Sequence, residues 1–560
     1  MLKEKLVEKI NIITIFALAS VTLTIAPFSV THPFSLPKLI PLVGLSFLLM
    51  PLLVLVIDKK FLKHFRTVSV LVVLNLLIII VVLFMSNNNL TQKFYGLWGS
   101  SNGFLTHFSY LLLLTSSLFL GLSKNLDKLR LTFTLIGWIA LIYGYLQAFS
   151  LVEIQNITGL NNRSVSFFGN TNYHSAFIGM MCAMNLSLYL SMKGSKINKF
   201  LYFIYIPLGL YGIYLAKSDQ GYLVFVTGAS VAIYAYLRSS NRHKISSIFL
   251  LSAASALTLI LAGFFQLGPL SRIVYQDTIS FRGYYWRTGI EIFKENFWFG
   301  AGFDSYRDWY RRFREVQSLI PLGPTDIADS AHNYFIDTAV NGGIFLITSY
   351  LMLVVYTLKC IWIILKNIKN FEPFVPAILS LWFAFTTQQF LSLPQPGIII
   401  WGWVLSGLII SISKRYSPEI TDSLNKKNKN NSIVVSSALL SFSVGLVLGI
   451  LPNSTSNSYR NALEQQDPKK LIKAANTYPN DSTMLVAAGG ALIGLSDFTN
   501  ARMLLKIATE NYPEYYESWY IYSLLPNLPE TELQKIRTKM ELLEPILGKE
   551  KVYSNKLPRN

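Results

Sequence analysis

His332 lies in the run Asp329-Ser330-Ala331-His332-Asn333, where a long polar stretch gives way to an apolar one. The chain has only six histidines, and most of it is lipid-compatible. An imidazole at the start of a membrane span can move protons at the membrane surface. On position alone an idle interfacial histidine is as good a reading, so the neighbours decide. Ser330 or Asp329 offers an N-cap for the following helix. His332 then falls in the first helical turn, where the macrodipole disfavours a cationic ring. A neutral imidazole there can accept a proton. Gly342-Gly343, ten residues on, would let a neighbouring helix approach closely.

Arginines are the second chemical signal. Arg163 precedes Ser164-Val165-Ser166-Phe167-Phe168-Gly169-Asn170-Thr171-Asn172, and Arg282 and Arg287 bracket Gly283-Tyr284-Tyr285-Trp286. A guanidinium is a planar, permanently charged fork that matches phosphate oxygens. Residues 267–331 hold eight basic and eight acidic side chains, so no broad anion-attracting field is implied. Any anion site there must come from local geometry. For most of these arginines, taken singly, pairing with a carboxylate or a lipid headgroup is the simpler reading. There is no Asp-x-Asp pair and no oxygen-ligand cluster of convincing spacing, so neither a metal nor another cofactor is expected. Cys182 and Cys360 fall within or at the ends of apolar runs and read as buried thiols.

The elements that must position these residues are membrane helices. The chain is 52% hydrophobic and 14% charged, where soluble domains run nearer one-quarter charged. Thirteen apolar stretches approach the roughly 20 residues a helical span needs: 10–30, 38–57, 67–85, 104–122, 131–150, 174–192, 199–216, 219–237, 246–265, 334–358, 374–392, 397–413 and 432–450. The first follows Lys3, Lys5 and Lys9 like a signal peptide. It lacks a cleavage site and reads as a retained helix. The net charge of +19 sits mostly in alternate connections, such as Lys59-Lys60-Lys63-Arg66 and Arg238-Arg242-Lys244. That alternation is the positive-inside pattern, not a nucleic-acid footprint. It predicts a cytoplasmic N-terminus, with 266–333 and 451–560 on the outer face of the cytoplasmic membrane.

The expected fold is therefore all-α: a polytopic bundle of about 13 spans, all but the last within 1–413 with 266–333 as a long helical outer loop, then a cytoplasmic linker at 414–431, the last span at 432–450, and a soluble helical tail at 451–560. Within the loop, 281–297 and 303–314 have helical spacing. In the second, Phe303, Tyr306, Tyr310 and Phe313 share a face beside Arg307, Arg311 and Arg314. Such a helix suits the membrane interface, or packing on the bundle. In the tail, Tyr478-Pro479 and Tyr512-Pro513 stand 34 residues apart around a small-and-aromatic pattern, which resembles a tetratricopeptide helix pair. With so few repeat units the tail is expected to lean on the 266–333 loop, to position the acceptor or a protein partner, and to take no part in catalysis.

Together these features resemble the bacterial O-antigen ligase and polymerase superfamily of membrane glycosyltransferases. The resemblance rests on an ordered set over roughly 1–415: Pro37-Lys38, Phe168-Gly169-Asn170-Thr171-Asn172 behind Arg163, Arg282-x-x-x-Trp286, Gly300-Ala301-Gly302-Phe303-Asp304-Ser305-Tyr306, and Ala331-His332-Asn333-x-Phe335 with Gly342-Gly343. It implies transfer of a glycan from a polyprenyl diphosphate carrier to a hydroxyl acceptor on the outer face, with His332 as base and Arg163, Arg282 and Arg287 on the diphosphate. Lys217, Asn172 and Asn333 are implied as further contacts to diphosphate or glycan. One departure stands out. In Lys217-Ser218-Asp219-Gln220-Gly221 the family's expected arginine is Gln220.

The rival reading is a non-catalytic transporter or flippase of lipid-linked glycans. Transporters place ionisable groups or broken helices near the midplane, whereas here the candidates gather at one mouth. A tail-driven scaffold would not need thirteen spans. Ligase and polymerase, the sugar, and the acceptor stay open at this level.

Overall fold

The structure, a computed structural model, describes residues 2–26, 30–123, 126–152, 163–192, 195–264, 267–271, 277–415 and 431–546. Most of the expected 414–431 linker lies outside them. Every regular element among the described residues is helical. The bundle is built from α1 (Leu2–Leu23), α2 (Leu36–Val56), α3 (Arg66–Met85), α4 (Phe104–Leu122), α5 (Asp127–Ala148), α6 (Thr171–Ser191), α7 (Lys196–Ala216), α8 (Gln220–Ser239) and α9 (His243–Phe264). After the loop helices α10 (Asp277–Glu295) and α11 (Tyr306–Phe313) come α12 (Tyr334–Lys366), α13 (Val375–Leu391), α14 (Pro396–Lys414) and α15 (Asn431–Glu464).

Eleven of these helices are long and apolar enough to cross a membrane. The other two expected spans are helices of the same bundle. The α13 helix has only 17 residues, and α6 is made more polar by Asn172, His174 and Asn185. Both can be shorter or wetter because their neighbours, not lipid, cover them: α6 packs on α7 and α8, and α13 on α8 and α14. The α14 helix is buried along almost its whole length, with Trp401 donating to Thr22 Oγ1 at 3.0 Å. Outward-facing side chains on α3 and α9, such as Val73, Leu77, Ile248 and Leu251, are apolar and exposed, as a lipid-facing surface must be.

Three boundaries differ from expectation for physical reasons. The first helix ends at Leu23, not near residue 30. The buried Lys38 ammonium reaches back to the carbonyls of Val21, Thr22 and Thr24 at 3.0, 2.8 and 2.9 Å and so caps that end. The second loop helix starts at Tyr306 because Gly302 and Asp304 take φ of 106° and 51°, which no helix allows. The last span does not stop at 450, and α15 runs on to Glu464.

The α12 helix is broken at Gly342 and Gly343. What approaches there is not a neighbouring helix but the turn 297–302. Ala301 N–H donates to Val340 O at 2.7 Å, Gly302 N–H to Asn341 O at 3.2 Å, and Ile344 N–H to Phe297 O at 2.7 Å. The groups freed by the break are thus satisfied by the loop. A Cβ on Gly343 would lie 2.4 Å from the Trp298 carbonyl, and one on Gly300 2.5 Å from Asn341. The Gly-Ala-Gly and Gly-Gly motifs are therefore two halves of one joint.

The tail continues with α16 (Pro468–Asn476), α17 (Ser482–Gly494), α18 (Phe498–Asn511), α19 (Tyr516–Ser523) and α20 (Glu530–Leu543). Asp467, Asp481 and Asp497 cap the first three of these. Leu485, Leu492, Leu505, Ala508 and Trp519 form a separate small core.

Candidate active site

The loop between α9 and α12 is pinned before it reaches His332. Asp304 Oδ2 accepts from the N–H groups of Leu97 and Asn102, both at 3.0 Å, and from Ser100 Oγ. Burial pushes this carboxyl up, while the hydrogen bonds pull it back. Gln92 holds Asp304 O and Asp308 Oδ2 at 3.2 and 2.9 Å. Tyr306 Oη donates to Tyr285 O at 2.7 Å and ties α11 to α10. Gly289 lets α10 lie against α12, since a Cβ there would meet Ile336 at 2.5 Å.

His332 itself is not helical. Its φ is 54°, a left-handed conformation that histidine tolerates better than most residues. The cap of α12 is Asn333, not Ser330 or Asp329: its Oδ1 accepts from Phe335 N–H and Ile336 N–H at 3.0 and 3.3 Å. Ser330 Oγ instead accepts from His332 N–H at 2.9 Å, and Asp337 Oδ1 from Ala331 N–H at 2.8 Å. The half-buried imidazole stacks on Tyr285, with centroids 5.4 Å apart and planes 29° apart. Burial, and then the Arg282 charge, push its pKa down to about 4. The ring is neutral as expected, but the cause is desolvation and a guanidinium, not a place in the first helical turn.

Arg282 projects from α10 and donates to Gln220 Oε1 at 3.2 Å; Gln220 Nε2 in turn donates to Gln388 Oε1. Burial works against its charge, yet a guanidinium stays protonated. Gln220, where an arginine was expected, thus receives Arg282. One charge occupies a place where two would repel. The phenol of Tyr173 on α6 is within electrostatic reach of Arg282.

The other candidates are placed differently. Arg287 is exposed, held by Glu315 in a two-pronged ion pair at 2.7 and 2.9 Å, with its guanidinium over Tyr284 at 4.8 Å. Arg163 is exposed and makes no ion pair among the described residues. The backbone just after it is fixed by Gln147 Oε1, which accepts from Val165 N–H and Ser166 N–H at 3.0 and 2.7 Å. Lys217 is exposed at the left-handed C-cap of α7. Asn172 Oδ1 accepts from Ser218 Oγ at 2.7 Å and ties the start of α6 to the α7–α8 corner. Asn333 is buried and engaged as a cap. The structure therefore brings His332, Tyr285, Arg282 and Gln220 together. It gives Asn172 and Asn333 architectural hydrogen bonds and leaves Arg163 and Lys217 on the surface.

Tyr285, Tyr173, Gln388 and Asp337 were not read from the sequence. Asp337 was open to detection, as a carboxylate near the start of an otherwise apolar helix. The tyrosines were not, among 30 in the chain. Among the described residues, no three His, Cys, Asp or Glu side chains gather closely enough to hold a metal ion.

A histidine held near an arginine, on a loop joined to a many-helix bundle, is an arrangement that can accept a proton next to an anion. The O-antigen ligase family model matches residues 204–351, and over that stretch the chain is similar to the O-antigen ligases. The match contains Lys217, Gln220, Arg282, Arg287, His332, Asn333 and the Gly342–Gly343 joint. No curated relative matches the chain. That similarity, with eleven helices long and apolar enough to cross a membrane among the described residues, fits a multi-pass membrane protein.

Proposed function

We propose that the protein transfers a glycan from a polyprenyl diphosphate to a hydroxyl acceptor at the outer face of the cytoplasmic membrane. The observation that carries this is the neutral His332 imidazole, propped on Tyr285 within the field of Arg282. The acceptor hydroxyl gives its proton to an imidazole nitrogen as its oxygen bonds to the anomeric carbon. The bond from that carbon to the diphosphate breaks, and both electrons leave with the diphosphate. Arg282 faces the growing negative charge. Arg163 and Lys217, exposed and without ion pairs among the described residues, are second contacts for the anion; Arg287 would first have to leave Glu315.

The reaction is tested with purified protein, polyprenyl-diphosphate-linked glycan and a hydroxyl acceptor. Free polyprenyl diphosphate should appear in step with glycosylated acceptor. Movement of intact carrier across vesicles with no diphosphate release would identify a transporter instead.

The sidedness follows from the basic connections and is checked by labelling whole cells with an impermeant thiol reagent. Cysteine at Ile320, a position 88% exposed on the loop, should label. Cysteine at the exposed Lys60 should label only after the cells are opened. The reverse pattern would put the site in the cytoplasm and end this mechanism.

A further inference from the structure

The tail is not a free appendage. Four arginines at and just beyond α11 enter it. Arg307 donates to Ser482 Oγ and Thr483 Oγ1 at 2.7 and 2.8 Å and lies over the Tyr515 ring at 4.2 Å. Arg311 meets Glu517 at 2.7 Å and lies over Tyr516. Arg312 pairs with Glu514. Arg314 meets Glu544 at 2.5 Å, and Arg311 shares that carboxylate at 3.2 Å. A further link runs from Trp98 N–H to Asp481 Oδ2 at 3.1 Å. Trp98 belongs to the same turn that grips Asp304.

Glu544 differs from the rest. It is 1% exposed, and Arg314 is equally buried. The same two arginines reach onward into the loop. Arg314 donates to Pro324 O and Asp326 O at 3.1 and 3.4 Å, and Arg311 to Pro324 O at 3.1 Å. The Asp326 carboxylate then accepts from Tyr285 Oη at 3.4 Å, and the Tyr285 ring carries His332. An unbroken set of contacts joins the last tail helix to the imidazole.

We infer that Glu544 is a positioning residue for His332, and that the tail forms part of the active-site scaffold. This rests on the glycosyl-transfer reading for what His332 does, but not for how it is held. The Arg314 guanidinium stays buried beneath residues 324–326 because Glu544 neutralises it, while Arg311 shares that carboxylate and also has Glu517. Without the Glu544 charge Arg314 must turn toward water, since an unpaired buried charge is strongly disfavoured. Its hold on Pro324 and Asp326 goes with it. The face of the tail that grips the loop is therefore occupied, and on this reading the tail supports the reacting residue without touching substrate.

The test uses the full-length protein in lipid nanodiscs. Glu544→Gln should speed amide hydrogen exchange across residues 324–332. It should also lower kcat for transfer about tenfold while the donor KM stays within about twofold, as slight misplacement of a reacting group does. Tyr285→Phe removes only the link to Asp326 and keeps the ring, so it should lower kcat alike with the tail undisturbed. It also decides the matter should the Gln variant not fold. Glu514→Gln removes an ion pair that leads nowhere near Asp326 and should leave both readouts near the parent's. Parent-like exchange and kcat in both Glu544→Gln and Tyr285→Phe would overturn the proposal. Faster exchange in a protein whose parent transfers no glycan would uphold the positioning and refute the transferase reading.

Discussion

Exchanging His332 for asparagine is expected to slow glycan transfer by about 10²–10⁴-fold, the usual contribution of a positioned base. Asparagine is the better probe than alanine here. The residue sits at φ 54°, where asparagine is at ease and alanine pays a backbone penalty. The asparagine variant should thus melt with the parent, and an alanine variant slightly below it, at the same low activity. The rate should also report the imidazole's surroundings. The pKa is pushed down to about 4 by burial and Arg282. The base form therefore persists on the acid side, and kcat/KM should fall only as pH drops toward about 4, not at the ordinary histidine value near 6.5. Transfer by the asparagine variant within a few-fold of the parent would make His332 a structural residue.

Much of this was legible in the chain, for identifiable reasons. Helices of about 20 apolar residues leave a pattern that little else mimics, so the bundle could be read directly. His332 stood out because histidine is scarce here and its position is a boundary. The cap was misplaced because Asp329, Ser330 and Asn333 all have capping side chains, and only the backbone turn at His332 selects among them. Gln220 looked like a lost ligand, since nothing local shows that Arg282, 62 positions away, comes to meet it. The face of α11 reads as aromatic beside arginine, and a short tail reads as leaning on this loop, but which residues meet does not. Arg307 meets Ser482 across 175 positions and Arg314 meets Glu544 across 230. Contacts at that separation leave no periodicity to read. The interfacial alternative for this helix gives way to packing: Arg307 and Arg311 on it, and Arg314 just beyond it, are buried against the tail.

Arg282→Lys is the second large effect expected, and it separates charge from shape. Lysine keeps the positive charge but replaces a planar fork by a point donor. Two consequences follow from the geometry. The contact to Gln220 Oε1, now 3.2 Å, loses its directional partner, so Gln220 and Gln388 no longer aim the cation. Paired recognition of diphosphate oxygens by one side chain is also lost. Charge-assisted hydrogen bonds contribute about 1.5–3 kcal/mol each, so one lost contact should weaken donor binding by about 10–150-fold. His332, still facing a nearby cation, should stay neutral, and the acid limb of kcat/KM should move little. Arg282→Gln, by contrast, removes the charge that helps depress the imidazole, and the acid limb should then shift upward. Donor affinity, measured directly with the lipid diphosphate, carries the decision. Parent-like affinity in the lysine variant would return Arg282 to the loop's architecture and require another cation for the diphosphate.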